Sequence, residues 1–326
     1  MSNDGLGSWS PWNASWEDIG AENETDLLTP QDGFDHELSP YRIADILIPI
    51  FILLISIFGI IGNGTVIWFL GFCMKRNPFT TFILHLAVAD LGALMSLSSL
   101  SIMSILNLFP YLLWHIYLVP VFGYLLLFMY NTGQYLLTAI SMDRCVSVVF
   151  PFWHRCHRPP HFSSLLCATI WIISFPLHVI GMIYSLFGDI MNPLFYLLLM
   201  NAILCLPLMT VSTLILFIKV YFRSQQMKKE KALTVILLVI FFLFLAFPYT
   251  CILLISFFTP LIDYNVESVG FLCSCLNSSI NPLIYFLIGR NKRAQSRESM
   301  KVILQRLFKE EENCREEQEI PVQSQM

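Results

Sequence analysis

Apolar positions along the chain come in seven long runs, each closed by a short polar stretch. The runs are Ile46–Leu70, Phe82–Leu106, Leu118–Ile140, Ser164–Phe187, Leu194–Phe217, Leu233–Phe258 and Val266–Ile288. Each is close to the ~20 residues a helix needs to cross ~30 Å of hydrocarbon. The pattern predicts an all-α protein, a bundle of seven transmembrane helices. Beyond the last run, Lys292–Lys309 alternates basic residues with Met300, Ile303, Leu304, Leu307 and Phe308 at helical spacing. That is a basic amphipathic eighth helix suited to lie on the bilayer surface. The expected organisation is a tail over 1–42, the bundle over 43–290, the surface helix over 291–309 and a second tail over 310–326. No connection is long enough for a further domain, and no internal repeat is visible.

Composition sharpens this picture. The chain of 326 residues is 56% hydrophobic and 13% charged, about half the charged fraction of an ordinary soluble domain. Disordered, collagen-like and disulfide-scaffold classes are excluded, and an ordinary cytosolic enzyme is a poor fit. Charge then orients the weave. Residues 1–40 hold nine acids and no Lys or Arg, and of 19 basic residues only Arg42 falls on the same side. Basic residues mark cytoplasmic loops, so the N-terminus is expected outside and the C-terminus inside. The N-terminal tail has no basic and apolar signal-peptide pattern, so the first span is expected to direct membrane insertion. It offers two glycosylation acceptors, Asn13 and Asn23; similar matches at Asn63 and Asn277 fall inside spans and are discounted. None of the nine cysteines lies in residues 1–72 or in the outer loops, so no extracellular disulfide is expected.

The candidate chemistry lies in polar residues that the hydrocarbon should exclude. Asp90 is the acid deep in the first six spans, and an intramembrane charge costs roughly 2.5–3.5 kcal/mol or more. In span 7, Asn277, Ser278 and Asn281 fall at i, i+1 and i+4, on one helical face. A carboxylate with amide and hydroxyl oxygens would suit a hard monovalent cation or a proton. A helix-packing hydrogen-bond network with no ion explains the same residues equally well. Pro282 follows Asn281 and leads to Tyr285, and Pro176, Pro207 and Pro248 interrupt spans 4, 5 and 6, so these helices are expected to kink. Span 3 ends in the adjacent pair Asp143-Arg144 at the cytoplasmic boundary.

These residues, taken in order, resemble the rhodopsin-like G-protein-coupled receptors across essentially all seven spans. The signatures are Gly62-Asn63 with Val66, Asp90, Asp143-Arg144-Cys145, Trp171, Pro207, Phe242 with Pro248, and Asn281–Tyr285. More narrowly, Arg76-Asn77-Pro78-Phe79-Thr80 is similar to the Mas-related receptors. So are Tyr130–Gly133, Leu136–Ser141, Arg155–Pro159, Asn277-Ser278-Ser279 and the run from Glu298 to Glu310. The resemblance implies a sodium-sensitive pocket at Asp90, Asn277, Ser278 and Asn281. It implies contact with heterotrimeric G proteins through Asp143 and Arg144, and a rearrangement of span 7 carried by Asn281, Pro282 and Tyr285. It also implies a plasma-membrane receptor of sensory, nociceptive neurons with a peptide or small-molecule agonist.

Departures from the receptor pattern matter as much. Val119 and the cysteine-free loop Tyr184–Asn192 stand where most relatives bond span 3 to the outer loop. Leu126 replaces the acid of amine receptors. Gly181 and Phe195 stand where some Mas-related receptors hold cationic ligands with acids, and Ala246 replaces a span 6 tryptophan. Gly133 removes a hydroxyl from the sodium pocket. The remaining pocket candidates are Tyr117, Tyr130, Gln134, His178, Phe247, Tyr249, Tyr264 and Phe271, with Asp189, Asp263 and Glu267 at the rim. They suit a hydrophobic ligand or peptide bearing a positive group. Packing and lipid contact explain aromatic residues at this spacing as well.

A transporter or channel is the competing class, and it predicts repeat symmetry, broken half-helices or a second intramembrane acid. The sequence offers none of these. An enzyme would need a converging nucleophile and base, and nothing in the charge pattern calls for a nucleic acid or an organic cofactor. Cys314, past the surface helix, is a palmitoylation candidate. Past Lys309 the tail has Ser324 as its one hydroxyl residue, so weak arrestin recruitment is expected. Counting 20 residues back from Pro248 gives Lys228, a base where many such receptors hold an acid that restrains the span 3 arginine.

Overall fold

The computed structural model describes residues 40–74, 77–106, 115–156, 158–159, 161–186, 191–223, 247–259 and 264–289. Span 1 is α1 (Pro40–Trp68), which runs on into a π-helical turn, Phe69–Cys73. Span 2 is α2 (Pro78–Leu106) and span 3 is α3 (His115–Val149). A short helix, α4 (Pro151–Cys156), leads to span 4, α5 (Phe162–Leu186), and span 5, α6 (Met191–Arg223). The described part of span 6 is α7 (Pro248–Phe258), and span 7 is α8 (Tyr264–Gly289). The glycosylation candidates Asn13 and Asn23, the surface helix, Cys314 and Lys228 lie outside the described residues.

Ile46–Cys73, Pro78–Leu106, Phe162–Tyr184 and Phe195–Leu216 are each long and apolar enough to cross a membrane. Helices α3 and α8 are long enough, at 35 and 26 residues, but carry the polar groups that the site requires. Exposed side chains such as Phe51, Phe58, Phe72 and Ile172 form an apolar outer surface, whereas Asp90, Asn131, Gln134 and Asn281 are buried. This inside-out distribution is what a lipid solvent demands, because polar groups must find partners within the bundle. Pro176 and Pro207 sit inside continuous helices, and Pro248 opens α7 at its first turn, where a missing N–H costs nothing.

Helix α2 is central, touching α1, α3, α5 and α8. Its start is locally encoded. Asn77 Oδ1 accepts from the Thr80 backbone N–H at 2.7 Å, while Thr80 Oγ1 accepts from the Asn77 N–H at 2.8 Å. This reciprocal cap, with Pro78 at the first helical position, satisfies two otherwise unpaired donors. Helices α1 and α8 approach closely through small residues. A side chain on Gly59 would collide with Ser279 and Leu94, and one on Gly62 would press on Pro282. Without a hydrophobic force between helices in lipid, such close contact supplies the packing. Asn63 adds polar ties, its Nδ2 donating to the carbonyls of Gly59 and Ser278 at 3.0 Å each.

Candidate functional site

Asp90 lies where α2, α3 and α8 meet, and is 3% exposed. Asn281 Nδ2 donates to its Oδ2 at 2.7 Å, and Ser278 supplies a second hydrogen bond. A Cβ on Gly133 of α3 would lie 3.9 Å from Asp90 Oδ1. Gly133 therefore faces the carboxylate, and the position contributes no hydroxyl. The carboxylate's partners in these contacts are neutral amide and hydroxyl groups. The Oδ1 atoms of Asn281, of Asn277 on the same helix, and of Asn63, which is tied to the Ser278 carbonyl, are buried without a hydrogen-bond partner. Orphaned buried acceptors are costly. An all-oxygen set of one carboxylate and unpaired amide carbonyls is chemically suited to a hard cation or a proton.

Near the C-terminal end of α3, Asp143 and Arg144 point to different neighbours. Arg158 Nη2 stands 2.9 Å from Asp143 Oδ1 and donates to Ser163 Oγ at 2.6 Å. His154 Nε2 is 3.4 Å from the same carboxylate oxygen and 2.9 Å from Arg158 Nη1. A guanidinium can only donate, so the shorter contact makes Nε2 an acceptor, the proton lying on Nδ1. The connection between spans 3 and 4 thus clamps Asp143. The guanidinium carbon of Arg144 lies 3.5 Å from the centroid of the Phe79 ring, a cation–π contact between the foot of α3 and the capped start of α2.

Farther from Arg144 along α3, the Tyr130 and Tyr249 rings meet edge-on at 5.0 Å and 87°, and Tyr249 packs on Phe271 at 5.5 Å. The Tyr130 hydroxyl lies 3.2 Å from Thr250 Oγ1. Phe247 and Gln134 are buried, Glu267 is half-buried, and the side chains of Tyr264, Tyr117 and Tyr285 lie outside the described set. His178 is engaged elsewhere. Asn201 Nδ2 donates to Asn131 Oδ1 at 2.6 Å, Asn131 Nδ2 donates to His178 Nε2 at 3.0 Å, and His178 Nδ1 donates to the Ser174 carbonyl at 2.8 Å. This directional chain ties α3, α5 and α6 together, and makes His178 a packing residue in this conformation.

Residues 62–285 match the family 7 transmembrane receptor (rhodopsin family). Proto-oncogene Mas of Rattus norvegicus is 37% identical over 269 residues, covering 80% of this chain and 83% of that protein. Mas-related G-protein coupled receptor member H of Mus musculus is 39% identical over 271 residues, 79% of this chain and 82% of the relative. Mas-related G-protein coupled receptor member A1 of Mus musculus is 33% identical over 282 residues, 80% and 88% of the two. The chain is a Mas-related G-protein-coupled receptor.

As a rhodopsin-like receptor it is a multi-pass membrane protein that couples ligand binding to G proteins, and a transporter or channel is not favoured. Helical spacing put Asn277, Ser278 and Asn281 on one face and the resemblance set them around Asp90; the structure bonds Asp90 to Ser278 and Asn281. Spacing did not find that Phe79 meets Arg144, or that Arg158, held by His154, engages Asp143. The available signal was the motif Arg76–Thr80, whose cap positions Phe79, and the basic run Arg155–Arg158.

Proposed function

We propose that the receptor is activated from outside by a peptide or small molecule with an apolar body and a positive group, seated on Tyr130, Tyr249 and Phe271 with Glu267 at the rim. The observation that carries this reading is that α3 bears all three working points. Tyr130 meets α7, Gly133 faces Asp90, and Arg144 sits on Phe79. From Tyr130 to Arg144 is 14 residues, about 21 Å of helix. A ligand that shifts Tyr130 against Tyr249 therefore biases a rigid rod whose far end presents Arg144 to the G protein. It acts by binding the signalling arrangement better than the resting one.

In the same reading, Asp90, Ser278, Asn281 and Asn277 hold a sodium ion when one is bound. The ion balances a charge that neutral donors alone otherwise face, and the glycine at position 133 keeps its affinity low. The acidic tail lies outside the cell, glycosylated at Asn13 and Asn23. The surface helix over 291–309 and the tail over 310–326 lie in the cytoplasm, with Cys314 as acylation site and weak arrestin recruitment. Nociceptive neurons of the plasma-membrane setting suggested by the family are the cells in which to look for it.

A screen of cationic peptides and amphiphiles on cells carrying G-protein dissociation sensors tests the ligand site. Tyr130→Ala and Tyr249→Ala should each abolish the response to an agonist so found, at normal surface density and with ligand-free signalling retained. An agonist equally potent on both variants would place its site elsewhere.

A further inference from the structure

A cavity of about 1190 Å³ runs between α3, α5 and α6, apart from both the Asp90 centre and the outer aromatic cluster. Its wall extends from Phe162 to Ile180 along α5, 18 positions or about 27 Å of rise, close to the ~30 Å of hydrocarbon. It opens sideways to the bilayer, since Ile173, Met200 and Leu204 on its lips are all exposed. The wall is almost wholly apolar except at the cytoplasmic end. There Arg158, His154 and Asp143 line it together.

A groove with hydrocarbon walls and a charged foot has the polarity of a lipid, and the foot sets its sign. Asp143 is the one acid between Asp90 and Asp189, whereas Arg155 and Arg158 lie in the adjoining connection and Lys219 donates to the Val148 carbonyl at the foot of α3. Arg158 is not a loose surface charge. Its side chain is 8% exposed, held by Ser163 and Asp143 and placed 5.7 Å from the Phe162 ring centroid. A planar guanidinium fixed in this way is built to meet phosphate oxygens.

We propose that this groove binds an anionic phospholipid of the cytoplasmic leaflet. Its phosphate lies against Arg158, sharing that side chain with Asp143, and one acyl chain runs past Phe162 and along Leu166 and Ile170. The headgroup thereby shares with Asp143 the guanidinium that clamps it.

Photolabelling of the full-length receptor in phosphatidylcholine vesicles tests the assignment. A trace probe carries a diazirine on its acyl chain near the glycerol, and adducts are mapped by peptide mass spectrometry. A phosphatidylserine probe should mark residues 162–170 about fivefold more than a phosphatidylcholine probe, since a basic residue attracts an acidic lipid by ~1 kcal/mol and 1.4 kcal/mol is a factor of ten. Arg158→Gln should bring the two probes level. Ile173→Trp, which obstructs the groove and leaves Arg158 in place, should lower labelling by both. Arg158→Gln also deprives Asp143 of a partner and could unfold the receptor, so the two-probe comparison on the unaltered chain decides by itself. Equal labelling by both headgroups there would overturn the proposal, as would stronger labelling of the same residues by a photoreactive sterol.

Discussion

At the scale of single residues, Asp90 and Arg144 carry opposite kinds of cost. Asp90 is a buried acid whose hydrogen bonds come from Asn281 and Ser278. Replacing it by Asn keeps shape and hydrogen bonding while removing the charge that a cation would need. Asp90→Asn should therefore change ligand-free signalling and remove any dependence on external sodium, at near-normal surface density. Identical signalling and sodium response in mutant and parent would reduce Asp90 to a packing residue. Arg144 rests on Phe79, a contact worth roughly 0.5–1 kcal/mol at an accessible site. Phe79→Ala should raise the signalling population about two- to fivefold, read as G-protein dissociation per receptor at the surface. A fall in that signal would mean that Phe79 supports the signalling state instead.

At the scale of elements, the chain's own patterns explain some features and not others. The 3.6-residue period put Asn277, Ser278 and Asn281 on one face, and the structure bonds Ser278 and Asn281 of that face to Asp90. A period identifies a face but not which helix lies opposite. The chain Asn201–Asn131–His178 joins three spans, so His178 could equally be read as a ligand contact from sequence alone. The clamp on Asp143 was hidden for a different reason. It depends on how α4 and the residues after it turn back under α3, and no periodicity encodes that turn. Close helix approach, by contrast, leaves a glycine signal that can be checked. A Cβ at Gly59 would strike Ser279 and Leu94, whereas one at Gly64 would meet nothing within 4 Å. The same substitution should then have opposite signs on one helix. Gly59→Ala should cost about 1–3 kcal/mol from overpacking, and Gly64→Ala should gain about 0.5–1 kcal/mol from lost backbone freedom in the unfolded chain. Thermal melting of the two purified variants checks this. Equal shifts would mean that α1 and α8 do not meet through Gly59.

At the scale of the whole molecule, the bundle links an aromatic cluster, a polar centre and Arg144 through one long helix. The fold class was plain from seven apolar runs, because the bilayer permits so few ways to satisfy a buried backbone. Function needed the ordered motifs, since many membrane proteins share such runs. By sequence count Lys228, a base, stands 20 residues before Pro248, where the family resemblance implies a restraining acid, so the resting state is expected to lack that ion pair. A partly exposed ion pair is worth roughly 0–1 kcal/mol, so its loss leaves up to about a fivefold larger signalling population. The most direct measurement is ligand-free G-protein dissociation across all α-subunit classes, at graded surface density, for the parent chain, Arg144→Ala and Lys228→Glu. The signal should rise with surface density, vanish in Arg144→Ala and fall in Lys228→Glu. A parent chain silent with every α-subunit, or an Arg144→Ala variant that signals as the parent does, would contradict coupling through the foot of α3.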